Sequence, residues 1–392
     1  MNHNKIIKIA EEYDKIFVSS SSLDRWQCPN LDISPVEKIL EKITNKDVYL
    51  IGAHGSLMPE YFLNKFDLKA VIIGEPEITV KDICQNKKIS KIRGIAYKNG
   101  KKIIVNKLKE LIGLDTIPAP DYSLLPLKKY SYELMGNNFM LFEMSRGCPY
   151  NCIYCLKKMY GQKYRIKSIK KLGEEMETAI NKYGIKNAYF IDLEMTANKK
   201  AVNELCDFII NKRIRLRWCC QTRADSVDFE LLRKMKKAGC VLIHYGVETG
   251  SPRIMKLIEK KITHKQILEG IRLTHKAGIE TACFFMFGFP TETDEEMQMT
   301  IDFAKRLNPT YASFHTATIY PGTKLFDMVK AELKLPFAEA YTKEHSLEKL
   351  KSITRKAFIE FYFRPRYIVS RLLSLNILSW YRQLKLFFEY IR

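Results

Sequence analysis

Residues 139–155 read FMLFEMSRGCPYNCIYC, an apolar β-rich run that leads straight into Cys148, Cys152 and Cys155, spaced C-x-x-x-C-x-x-C. Three thiolates on one short loop can hold three corners of a cubic iron–sulfur cluster and leave the fourth iron open. Zinc sites usually take four protein ligands, often as two separated pairs. Bacterial ferredoxin runs need a fourth cysteine followed by proline. Neither pattern is present here. The other cysteines among the 10 are scattered. Cys206, Cys240 and Cys283 lie in apolar patterns and read as small buried hydrophobes. Cys219 and Cys220 are neighbours on an expected strand, so their side chains point to opposite faces and do not chelate one ion together.

Working outward, residues 139–323 alternate β-rich runs with amphipathic helical runs. The strands are Phe139 to Glu143, AYFID at 188–192, RLRWCCQT at 215–222, VLIHYGVE at 241–248, TACFFMFGF at 281–289 and YASFHTATIY at 311–320. Helices are expected near 167–183, 199–212, 263–277 and 294–307, with another through Leu231, Met235 and Ala238. Repeated βα units imply a parallel sheet with right-handed crossovers. Six such units fall short of the eight that close a full barrel, so an open six-stranded (β/α)6 partial TIM barrel is expected. In such folds the reacting groups gather at the C-terminal ends of the strands.

An open iron suits a ligand that chelates through an amine and a carboxylate, as the methionine part of S-adenosylmethionine does. The cysteine loop, its place after the first strand of the array, and the aromatic Tyr154 before the third cysteine together resemble the radical S-adenosylmethionine superfamily. That resemblance implies a 4Fe-4S cluster on Cys148, Cys152 and Cys155 that cleaves S-adenosylmethionine reductively to a 5′-deoxyadenosyl radical. It also implies cofactor contacts residue by residue. In YFIDLEMTAN (189–198), Asp192 and Glu194 are candidates for the methionine amine. In QTRAD (221–225), Arg223 is a candidate to pair with the methionine carboxylate or to support the site. Glu248 in YGVETGS resembles the acidic residue near the ribose or amine. Gly288 and Pro290 in FFMFGFPTET resemble the strand that runs along adenine, with Thr291 where glycine is usual. Tyr320-Pro321-Gly322-Thr323 resembles the turn closing the sixth strand.

Residues 1–125 read as a smaller α/β unit, a truncated Rossmann-like doubly wound domain, with strands at Lys15 to Ser19, Asp47 to Gly52 and Ala70 to Gly74. A hairpin is expected over 92–107, turning at Asn99-Gly100. The stretches SSSSLDRWQCP, GAHGSLMPE, IIGEPE and IPAPDYSLLP resemble the cobalamin-binding domain that precedes the radical domain in one large subclass. That resemblance implies tail contacts from Ser21, Ser22 and Leu23, and backbone clearance at Gly52 and Gly55, which glycine supplies. The usual first strand and its cobalt-ligating histidine loop have no counterpart, and His54 sits on a different loop. Three readings stay open: cobalamin bound without a histidine ligand, a second chain completing the sheet, or a unit that only packs against the barrel. The barrel domain is expected at 126–335, with a helical basic region at 336–392.

The formal charge is +21, yet no RNA-binding motif accompanies it, so nucleic acid is not an expected partner. The start, MNHNKIIKIAEEYDK, lacks a signal peptide's long apolar core, and no apolar run approaches the ~20 residues of a membrane span. A cytoplasmic location is expected. In the tail, Leu384, Phe387, Phe388 and Ile391 share a helical face opposite Arg382, Lys385 and Arg392. Such a helix docks on its own barrel or lies at the periphery of an anionic membrane. The expected activity is radical chemistry on a small-molecule or lipid-like substrate, with a flavodoxin or ferredoxin type reductase as electron donor. If cobalamin binds, methylation or a related rearrangement follows from the resemblance. The alternatives are the same chemistry without cobalamin and, from another class, a non-catalytic metal-binding scaffold.

Overall fold

The computed structural model describes residues 3–21, 28–157, 159–160, 163–333 and 340–373. The chain divides into two compact units that interleave along the sequence. The first comprises 1–117, 147–165 and 318–339; the second comprises 118–146, 166–317 and 340–392. The chain therefore crosses between the units at 117/118, 146/147, 165/166, 317/318 and 339/340. The cysteine loop and the segment after the sixth barrel strand belong to the N-terminal unit.

The N-terminal unit carries a five-stranded sheet. Strands Lys15–Ser19, Asp47–Ile51 and Ala70–Ile72 are parallel and add in chain order, as in one half of a doubly wound sheet. Both faces are buried, as a parallel sheet requires. Val48, Leu50, Phe62, Leu63 and Val71 form the core on one side, and Tyr49, Ala70, Ile72, Ile83 and Ile95 on the other. The hairpin Ile95–Asn99 and Lys102–Val105 extends the sheet antiparallel. Its turn is one residue later than the sequence suggested: Asn99 pairs with Lys102, so Gly100 and Lys101 make the bend. Gly100, with φ 60°, takes the positive angle such a turn needs.

The second unit holds six parallel strands in strict chain order: Phe139–Phe142, Asn187–Phe190, Arg217–Thr222, Cys240–Glu248, Glu280–Phe287 and Tyr311–Thr316. The first and last are the sheet's edges, so the barrel is open among the described residues. Helices Ile169–Tyr183, Lys199–Asn211, Phe229–Lys237, His264–Lys276 and Asp294–Leu307 link successive strands. The last two begin with capping boxes, Thr263 with Gln266 and Thr293 with Glu296. No clear helix is legible for the sixth unit in sequence, yet Leu347–Tyr362 covers that edge, packing Phe361 on Phe314 and bonding Tyr362 Oη to both backbone groups of Ala312.

Strand residues alternate between faces. Phe139, Cys219, Leu242, Ala282 and Tyr311 close the bottom of the inner face around Met135. Cys220 lies on the opposite face from Cys219, and Cys206, Cys219, Cys220, Cys240 and Cys283 are all buried. Burial pushes the thiols of Cys206, Cys219, Cys220 and Cys283 up, which suits inert core residues. The tail positions 374–392 lie outside the described residues. No helix of the described residues is long and apolar enough to cross a membrane.

Candidate active site

The chain leaves the first barrel strand, passes through Cys148, Cys152 and Cys155, and re-enters the barrel at helix Ile169–Tyr183. All three thiols are part-exposed and in no disulfide, unlike the five buried thiols of the barrel. Residues within and just after this run anchor the loop: Ile153, Leu156 and Met159 are buried, and the Ile153 carbonyl accepts from Leu325 N–H at 3.0 Å. Tyr154 stays half-buried. Among the described residues no three His, Cys, Asp or Glu side chains converge as a preformed metal group. What fits an iron–sulfur cluster is the donor set: soft thiols on one turn-rich loop anchored in the core by Ile153, Leu156 and Met159.

The same compact unit places the small residues of the N-terminal sheet at the C-terminal ends of its strands. Gly52 has φ 104°, and a side chain there would meet Ser20 Oγ at 2.8 Å and Ser21 Oγ at 3.0 Å. Ser21 Oγ accepts from Ala53 N–H at 3.0 Å. A side chain at Gly55 would meet Val71 at 2.9 Å and Leu50 at 3.0 Å. Ser56 Oγ accepts from Gly74 N–H at 3.0 Å. Glu75, next along, forms a buried ion pair with Arg165 at the end of the cysteine loop, and Arg165 also donates to the Ile112 carbonyl at 2.8 Å. His54 is 1% exposed, with Nε2 at 2.6 Å from the Asn30 carbonyl. Burial holds its imidazole below the ordinary pKa, against the raising effect of backbone bonds. It tethers backbone. Ser22 and Leu23 lie outside the described residues.

The remaining candidates stand in the barrel unit. Asp192, 1% exposed, follows the second strand and accepts from Met144 N–H at 3.1 Å and from the Ser145 hydroxyl. Burial pushes its carboxyl up to about 7 despite those bonds. Glu194 Oε1 accepts from Thr222 at 2.5 Å, Ser226 at 2.8 Å and Thr196 at 3.1 Å. Burial raises its pKa too, and the hydroxyls and Arg223 oppose the rise. Arg223 grips Asp225 in a two-pronged contact at 2.9 and 2.8 Å and donates to the Lys260 and Lys261 carbonyls at 2.8 and 3.2 Å. These bonds fix the loop after the fourth strand. Glu248, at φ 70°, pairs with Lys260 at 2.6 Å, both buried. Gly288 N–H and Phe289 N–H donate to Glu292 Oε2 at 2.6 and 3.1 Å, and Pro290 is buried beside them.

Sequence reasoning missed Ser145, Lys260 and Glu292. Ser145 and Glu292 were inside quoted motifs, and an acidic residue four positions beyond a strand-ending glycine is a usable signal. Lys260 has no local signal, because its partner Glu248 is twelve residues away.

The Radical SAM superfamily model matches residues 142–304, from the first strand to the fifth helix. An uncharacterized methyltransferase of Pyrococcus horikoshii is 31% identical over 388 residues, covering 94% of this chain and 83% of that one. The chain belongs to the radical S-adenosylmethionine superfamily. As a member it is an enzyme of a family that uses a 4Fe-4S cluster and S-adenosylmethionine and generally needs an electron donor and a small-molecule substrate. The anaerobic magnesium-protoporphyrin IX monomethyl ester cyclase of Cereibacter sphaeroides is 26% identical over 375 residues, covering 92% of this chain and 60% of that one. The fold also matches the cobalamin-dependent S-adenosylmethionine radical enzyme OxsB with aqua-cobalamin and S-adenosylmethionine bound. There the TM-score is 0.74 at 18% identity, covering 99% of this chain and 64% of that one.

Proposed function

We propose that this radical S-adenosylmethionine enzyme binds cobalamin and methylates, or in a related reaction rearranges, an unactivated carbon of a small molecule. The observation that carries the reading is the row of small residues at the strand ends of the N-terminal sheet. Gly52 and Gly55 pack directly on Ser20, Ser21, Leu50 and Val71, and with Ser21 and Ser56 they build without large side chains the strand end at which a doubly wound sheet takes its ligands; Glu75 ties that end to the cysteine loop. His54 is committed to the Asn30 carbonyl, so the reading is of a site without a histidine ligand to cobalt.

Cys148, Cys152 and Cys155 would hold the cluster, which supplies one electron to the sulfonium of S-adenosylmethionine. That electron would serve to break the C5′–S bond, giving methionine and a 5′-deoxyadenosyl group able to take one hydrogen atom from substrate. Bound cobalamin would supply the methyl group to the carbon, taking it from a second molecule of S-adenosylmethionine, which leaves as S-adenosylhomocysteine. Asp192, Glu194 and Glu248 are the acidic groups proposed to meet the methionine amine or the ribose. Gly288 and Pro290 are proposed to run along adenine, and Tyr154 to contact S-adenosylmethionine beside the cysteines. The names of the Pyrococcus methyltransferase and of OxsB support methyl transfer and cobalamin respectively.

Anaerobically reconstituted protein incubated with hydroxocobalamin and then desalted tests the reading. Near-stoichiometric corrin absorbance is expected, falling at least about tenfold in Gly52→Val, whose branched side chain would press on Ser20 and Ser21. Deoxyadenosine formation without retained corrin would instead favour cobalamin-independent radical chemistry.

A further inference from the structure

Above the floor closed by Met135, the next inner-facing residues of the barrel strands form a layer of flat rings. His244 stacks between Tyr189, at 5.3 Å and 26°, and Phe284, at 5.6 Å and 13°. Tyr132 lies over the same stack, 6.1 Å and 14° from Tyr189, with its hydroxyl 3.4 Å from His244 Nε2. The row continues to His315 on the edge strand, 6.3 Å from Phe284, where Ser313 Oγ lies 2.7 Å from His315 Nε2.

Three properties of this layer go beyond core filling. It is accessible: Tyr189, Phe284 and Ser313 are half-buried, and His315 is exposed, although all face inward. Its buried centre is uncharged, since burial holds the His244 imidazole down at about 4. It also has unused polar capacity, because His244 Nδ1 is buried with no partner among the described residues. A buried polar atom without a bond costs stability, and such exceptions call for an explanation. Aromatic faces favour flat unsaturated partners through offset stacking. A carboxylate or ammonium at this level would be desolvated without a counterion.

We propose that this layer is the seat of the substrate, and that it selects a flat, uncharged, unsaturated group with a neutral hydrogen-bonding substituent. Phe284 and Tyr189 supply the stacking surface, and the Ser313–His315 pair at the open edge supplies the polar contact. The inference rests on the radical S-adenosylmethionine reading of the chain and narrows its substrate class.

The probe is Prodan, an uncharged naphthalene carrying a ketone, titrated by fluorescence into reconstituted protein. A blue-shifted bound state is expected, displaced by naphthalene but not by decalin, its saturated counterpart. Phe284→Ala is expected to weaken binding about tenfold. His315→Leu, at an exposed position that the fold tolerates, should weaken Prodan about threefold without affecting naphthalene. Leu124→Ala, on the exposed surface, serves as the control for nonspecific adhesion and should change nothing. Binding unchanged in both Phe284→Ala and His315→Leu, or displacement by decalin as effective as by naphthalene, would overturn the proposal. Deoxyadenosine is assayed on the same wild-type preparation with dithionite and S-adenosylmethionine. Its absence there would count against the parent reading, while the Prodan series judges the seat independently.

Discussion

Thr291 adopts φ 64°, a left-handed angle that a β-branched residue takes only under strain. Arg253 holds it there, donating to its hydroxyl at 3.0 Å and its carbonyl at 2.6 Å. The angle explains why glycine suits this position, and it makes Thr291→Gly a stabilising change of about 1 kcal/mol, read as a raised Tm. Next along, Glu292 is 1% exposed, and burial pushes its carboxyl up to about 7. A carboxyl whose folded pKa lies above its unfolded value stabilises the fold while protonated and loses that contribution as pH rises through the folded value. Between pH ~5.5 and ~8 this group should cost the native state about 2 kcal/mol, and Glu292→Gln should remove that part of the slope in urea titrations. Equal slopes in the two proteins would refute the assignment. Cys152→Ala should abolish bound iron and labile sulfide while leaving the barrel folded, because Cys152 is part-exposed and its core neighbours Ile153 and Leu156 are untouched.

Among elements, the barrel strands and helices were almost wholly legible. The sequence places the fourth strand at 241–248 and the structure at Cys240–Glu248; the helix expected at 294–307 is Asp294–Leu307. Local signals suffice there, since apolar runs, capping residues and C-terminal glycine or asparagine all agree. The sixth unit was less legible, because its covering helix Leu347–Tyr362 comes some thirty residues after the strand ends at Thr316. The cysteine loop shows the same limit. Its spacing is visible, but its membership of the N-terminal unit is not, since contacts such as Arg165 with Glu75 join positions ninety residues apart. Their pair is buried on both sides. Removing one partner strands the other's charge, so Arg165→Met should destabilise by about 3–5 kcal/mol. Faster proteolysis of the cysteine loop and weaker cluster retention should accompany it, and a cluster held as in wild type would contradict that role.

For the whole molecule, sequence motifs named the chemistry but not the division of labour. Asp192, Glu194 and Glu248 are visible as acids at strand ends, yet only the fold reveals that Ser145, three hydroxyls and Lys260 hold them. Arg223 reads in sequence as a carboxylate partner or a support, and only the fold shows its bonds to Asp225 and two carbonyls. The inner layer around His244 was illegible because it is assembled from single residues on separate strands. Its only trace is the alternation of ring-bearing side chains, which a core explains equally well. The activity proposed for the whole molecule is reductive cleavage of S-adenosylmethionine by a cluster on the cysteine loop. The most direct measurement is 5′-deoxyadenosine by mass spectrometry, from anaerobic, iron-loaded protein given S-adenosylmethionine and dithionite, beside Cys152→Ala. Deoxyadenosine from the wild type and none from the variant is the expected result; intact S-adenosylmethionine in the presence of a full cluster would contradict the claim.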